Sequence, residues 1–252
     1  MAWSVLQSAS NSADASSITA TFSTNLSAGS KIIVSAGSSN SGGIPAISSV
    51  TATGSNTLTQ LAAASAGTAR IYLYAMDASG SGGSNLVGTK PTITATWASG
   101  GGLGLLIQEV SGLMAGNTSA MIDGTPGTLT GSTSTTGSPS YTSAAANEYL
   151  IACYADIGNG VTVSTAGGWT ADAHNVNGSS SSNNMVQYKN STGGSETNGY
   201  TGADTGGWAI VEVAFLLPAT ITSGPALSPQ LMGAQTAIVA SHAGWRGAGH
   251  SR

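Results

Sequence analysis

Two distant stretches of this chain align without a gap, and that repeat limits the fold more than any other feature of the sequence. Thr96-Trp97-Ala-Ser-Gly-Gly-Gly-Leu-Gly104-Leu-Leu-Ile107-Gln-Glu109-Val110 lies on Gly199-Tyr200-Thr-Gly-Ala-Asp-Thr-Gly-Gly207-Trp-Ala-Ile210-Val-Glu212-Val213. Each reads as an aromatic, a glycine-rich loop, a glycine, then Ile-x-Glu-Val. Lys31-Ile-Ile-Val corresponds in the same order to Tyr149-Leu-Ile-Ala, and the tyrosine-bearing run near Tyr72 to the one near Gln187. The chain therefore reads as two related β-rich halves, 16–122 and 141–217.

Short apolar runs separated by Gly/Ser/Asn clusters predict strands over 31–35, 69–75, 91–97, 104–110, 149–154, 185–188 and 208–217, the punctuation of a sandwich or barrel. In Arg70-Ile-Tyr-Leu-Tyr-Ala, Ile71 and Leu73 face one way and Arg70, Tyr72 and Tyr74 the other, the period of a half-buried strand. Helical periodicity is absent before residue 220. Each half offers about four strands by this reading, too few to close two faces alone. One all-β domain over 1–218 is the expectation, with the low-complexity join 123–141 as an extended crossing; a flexible linker between two small sandwiches is the alternative.

The surface must be built mainly from hydroxyls and amides, because only 6% of the 252 residues are charged while 36 are Gly and 40% are hydrophobic. A net charge of -4 supplies little repulsion, which points to self-association. The cations Lys31, Arg70, Lys90, Lys189, Arg246 and Arg252 are scattered, so no basic stripe exists to neutralise nucleic-acid phosphates. No apolar window is long enough for a membrane helix, and Met1-Ala-Trp-Ser-Val-Leu-Gln-Ser lacks the features of a signal peptide. If the protein works outside a cell, export by lysis, inside a particle or by an unusual exporter is expected. Cys153, alone in an apolar run, reads as a small buried hydrophobe.

Beyond Pro218 the strand pattern stops. Residues 219–252 read as a C-terminal arm, with a possible helix opening at Ser228-Pro229. Leu231, Met232, Ile238, Val239 and Trp245, with Arg246 beside them, have no place on a finished sandwich, so the arm is read as a docking segment for a partner surface; a disordered tail is the alternative.

Signals for chemistry are weak. The histidines are His174, His242 and His250, and Asp172 with His174 lacks a Gly-x-Ser-x-Gly elbow, so no catalytic residue is assigned. Glu109 and Glu212 form a carboxylate pair on paper, but their matched repeat positions suggest symmetry rather than a hydrolase dyad, each on the Ile face of its strand. Asp156-Ile-Gly-Asn159-Gly160 has loop oxygens but too few carboxylates for calcium, so no metal or cofactor is expected. Asn25, Asn117, Asn177 and Asn190 match the glycosylation acceptor, as chance allows in so Ser-rich a chain. Among Trp97, Trp169, Trp208, Tyr72 and Tyr74, the rings of Trp97 and Trp169 are the candidates for glycan contact, with core packing the competing role for the rings beside the glycine loops.

Ile107-Gln-Glu-Val-Ser-Gly-Leu113, then Ile122-Asp-Gly-Thr, then Ala144-Ala-Ala-Asn-Glu-Tyr-Leu-Ile-Ala, together resemble a β-sandwich module of bacteriophage capsid-associated and tail proteins and of bacterial exported proteins. In that module a strand ending Glu-Tyr-Ser-Gly-Leu leads through an Asp-containing crossing into an Asn-Glu-Leu strand; this chain has Val110 at the aromatic position. The resemblance spans residues 16–217. It implies a jelly-roll-like antiparallel sandwich and brings no catalytic residues. With the tail, it implies a virion structural protein: a capsid decoration or head-fibre component on the particle surface, assembled in the host cytoplasm, with other virion proteins and copies of itself as partners. Minor tail or tail-fibre protein, and carbohydrate-binding adhesive module with a host-surface glycan as partner, are the alternatives.

Overall fold

A computed structural model describes residues 2–39, 46–67, 69–132, 139–156, 168–177, 182–197, 200 and 207–219, with backbone only at 173–177 and 182–183. The chain order begins β1 (Ser4–Thr21), β2 (Lys31–Ser39), β3 (Ile47–Ala52), β4 (Asn56–Thr57), β5 (Thr59–Ala66), β6 (Ala69–Asp77) and β7 (Thr92–Ser111). After one 3-10 turn, Ser119–Met121, follow β8 (Gly127–Gly131), β9 (Tyr141–Thr142), β10 (Ala146–Asp156), β11 (Thr170–Asn177), β12 (Ser182–Thr192), β13 (Ser195–Glu196) and β14 (Trp208–Phe215). The protein is an all-β antiparallel sandwich, and its first sheet curls into a half-barrel.

The repeat of the sequence is a repeat of topology. One sheet runs β4-β3-β7-β2-β6-β5, with β1 also on β7, and the other runs β11-β12-β10-β14-β8. The order β7-β2-β6-β5 is therefore matched by β14-β10-β12-β11. Val110 pairs with Lys31, whereas its counterpart Val213 pairs with Ile151, two residues beyond the Tyr149 suggested by sequence similarity. An even displacement leaves every side chain on its expected face. Met1–Pro218 forms one compact unit.

β7 makes the curl. Its C-terminal half pairs with β2 and its N-terminal half with β3, while β1 runs along both halves and takes a bulge between Ala15 and Ser17. Gly100, Gly101 and Gly102, which sequence assigns to a loop, continue the strand, because backbone pairing is non-local and extended glycine costs only entropy. β1, β3, β5, β8 and β11 also go beyond the expected strands, since Ser/Ala/Thr-rich segments carry little apolar alternation.

Apolar side chains stack in three layers. Val34, Tyr72, Tyr74, Trp97, Leu103 and Ile107 line the concave face of the first sheet. Ile33, Ile71, Leu73 and Val110 meet Tyr149, Ile151, Val213 and Phe215 between the sheets. Leu150, Tyr154 and Ile210 lie on the far face of the second sheet under Tyr141, Trp169, Tyr200 and Trp208. Each fully buried large side chain contributes about 1.5–3 kcal/mol, which supports a sandwich with few charges.

Candidate functional site

Lys31 opens β2 and Asp77 closes β6, and the strand register sets them directly opposite each other at one end of the sandwich. Lys31 Nζ donates to Asp77 Oδ1 at 2.5 Å and to the Gly116 carbonyl at 2.8 Å. Asp77 Oδ2 accepts from Gly116 N at 2.7 Å, and Asp77 N donates to Asn117 Oδ1 at 2.6 Å. Burial lowers the Lys31 amine, which is only 2% exposed, and the Asp77 carboxylate offsets part of that effect. A cleft of about 210 Å3 opens beside this pair, lined by Gly29, Ser30, Asp77, Ser79 and Ala115. Both charges are spent on each other and on the 116–117 loop. The arrangement pins that loop to the strand ends.

Glu109 serves the same purpose nearby. Its Oε1 accepts from Ser27 N at 2.6 Å and its Oε2 from Gln7 Nε2 at 2.7 Å, while Gln7 Oε1 accepts from Thr24 N. Glu196 is a third tie: Ser143 Oγ, Thr192 N and Lys189 Nζ converge on it, and Lys189 sits 4.7 Å from the Trp169 ring centre. Burial alone would raise the Glu196 carboxyl, but the bonds from Ser143, Thr192 and Lys189 outweigh it and hold the group below its ordinary value. Asp172 is a fourth, accepting from Ser8 at 2.8 Å and from Gln108 at 2.7 Å across the two sheets.

Asp123 and Glu148 behave differently. Asp123 Oδ2 accepts from Ala144 N, and Tyr141 donates its hydroxyl to the Asp123 carbonyl at 2.7 Å, which closes the crossing between the halves. Burial, then the neighbouring Asp123 charge and a hydrogen bond to it, push the Glu148 carboxyl up to about 7.

Residues singled out in the sequence do not gather into one site. Glu109 faces the concave layer of the first sheet, with Ile107, and Glu212 the far layer of the second, with Ile210, so two sheets separate them. Trp97 is 2% exposed and Trp169 is 5% exposed, so neither presents a ring face to solvent. The Asp172 carboxylate is engaged as above; the side chain of His174 lies outside the described residues, as do His242 and His250. Of the Asp156–Gly160 loop only Asp156 is described, buried and accepting from the Tyr154 hydroxyl at 2.7 Å. The docking residues Leu231, Met232, Ile238, Val239, Trp245 and Arg246 also lie outside the described residues. Among those described, no three His, Cys, Asp or Glu side chains come close enough to hold a metal ion. The Lys31–Asp77 pair was missed by sequence reasoning; its one signal is a lysine opening the apolar run Lys31-Ile-Ile-Val. Comparison with known protein families, curated proteins and solved structures finds no match to this chain.

Proposed function

We propose that this chain is a non-enzymatic structural protein of a bacteriophage virion, a capsid decoration or head-fibre component held to its particle through residues 219–252. The observation that carries this reading is the use made of the acidic groups. Asp77, Glu109, Asp172 and Glu196 each accept two or more hydrogen bonds that tie loops or sheets together, which suits a scaffold. A hydroxyl-rich surface with few charges suits close packing against neighbours, because little desolvation of ions is needed.

The test is a deletion of 219–252. The remaining 1–218 unit is expected to keep its β circular-dichroism spectrum and cooperative unfolding while losing incorporation into particles. Incorporation at the level of the full chain refutes the docking role of the arm.

A further inference from the structure

The mouth of the half-barrel carries buried hydrogen-bond donor atoms that have no partner among the described residues. Ser38 pairs in register with Arg70, and both point into the half-barrel on the side of Val34 and Tyr72. Arg70 Nη1 donates to the Tyr72 hydroxyl at 3.4 Å, and so does the backbone N of Ile47 from across the half-barrel, also at 3.4 Å. Ile47 is in turn the strand partner of Trp97. Register and these contacts hold Ser38, Arg70 and Tyr72 together, with Trp97 on the same face as the strand partner of Ile47.

Three of the four carry a buried donor atom with no partner among the described residues: Ser38 Oγ, Arg70 Nε and Trp97 Nε1. The fourth, Tyr72, accepts twice, and no acceptor for its own hydroxyl proton occurs among the described residues. Neither ion pair of the described residues includes Arg70. The glutamate on this concave face, Glu109, is held at the far end by Ser27 and Gln7. A buried donor left without a partner costs about 1–3 kcal/mol, and several in one place, one of them cationic, form the complement of a group that only accepts.

We propose that this mouth binds a small oxyanion, with a carboxylate as the best-fitting group. The Nε edge of a guanidinium matches a carboxylate in plane, and the indole N–H and two hydroxyls supply further charge-assisted bonds. Chloride offers one centre, whereas the Nε edge of a guanidinium presents two N–H groups side by side, so an oxyanion is preferred to it.

The experiment is a calorimetric titration of the full chain with sodium acetate and, separately, sodium sulfate, against sodium chloride at matched ionic strength. Saturable binding of acetate is expected, with chloride giving only heats of dilution. Arg70→Gln should abolish the binding, and Trp97→Phe, which keeps a ring but removes the N–H, should weaken it about tenfold. If Arg70→Gln fails to fold, Trp97→Phe with Ser38→Ala decides. Sulfate binding that is lost in the same variants also supports the site. Wild-type titrations indistinguishable from chloride mean that the mouth holds water only and overturn the proposal, as does binding unchanged in the variants.

Discussion

Replacing Gly37 by alanine tests how closely the two sheets pack. Gly37 and Gly104 are direct partners on β2 and β7, and the Asn184 side chain of β12 presses into the gap that their missing side chains leave. A Cβ at Gly37 would lie 1.4 Å from Asn184 Oδ1 and 2.5 Å from its Cγ. Ordinary contact is about 3.5–4 Å, so the amide would have to move by roughly 2 Å. Asn184 is 7% exposed, so moving its amide displaces packed neighbours and the strain passes to the sheets. Overpacking of this kind costs about 1–3 kcal/mol, and the loss of unfolded-state entropy on Gly→Ala returns about 0.4–1, for a net loss of about 1 kcal/mol.

Urea unfolding of five variants measures this. Asn184→Ala alone should change stability by less than about 1 kcal/mol, because its Oδ1 is buried without a partner among the described residues and its removal relieves that cost. Gly37→Ala with Asn184→Ala should recover most of the loss, a coupling of about 1 kcal/mol. Gly104→Ala should not be rescued in this way, since its Cβ would lie 2.6 Å from Asn184 Cβ, which alanine retains. A Gly37→Ala loss below about 0.5 kcal/mol, or additive losses in the double variant, refutes the reasoning.

Further outcomes follow from the buried ionisable groups. The Glu148 carboxyl is raised from 4.5 to about 7 in the folded chain, so below 4.5 both states hold the proton and its contribution is fully present. As pH rises toward 7 the unfolded chain ionises first and stability falls, by at most about 3 kcal/mol; Glu148→Gln should flatten that slope in urea unfolding at stepped pH, and an unchanged slope counts against the Asp123–Glu148 pair. Lys31→Met leaves Asp77 without its cation and should cost about 3 kcal/mol, with Lys31→Met/Asp77→Asn losing less; equal losses would show that the pairing is unimportant. Burial pushes the Cys153 thiol up to about 12, so a thiol reagent at mildly alkaline pH should label it only at the rate of unfolding, and fast labelling of the folded chain contradicts its burial.

Strands with an apolar face were legible because alternation is a local property. Arg70–Ala75 shows its two faces in the sequence, and the buried Ile71 and Leu73 lie on the face read for them. Ser4–Thr21 shows nothing of the kind, and it becomes a strand because β7 offers it a ladder along its whole length. Local pattern also places Glu109 and Glu212 on the Ile sides of their strands, but it does not tell whether those sides face each other. Sheet pairing answers that by directing them to outer layers of opposite sheets.

The sequence by itself determined the all-β class, the doubled strand order and the burial of Cys153, since periodicity and internal similarity survive without tertiary context. Only the tertiary structure decided that Lys31 meets Asp77, that Asn184 fills the space beside Gly37 and Gly104, and that Ser38, Arg70, Tyr72 and Trp97 share one mouth. The physical reason is the same for all three. Contacts across a sheet or between sheets join residues far apart in the chain, and their energies depend on register, strand curvature and desolvation, which no local run of residues records.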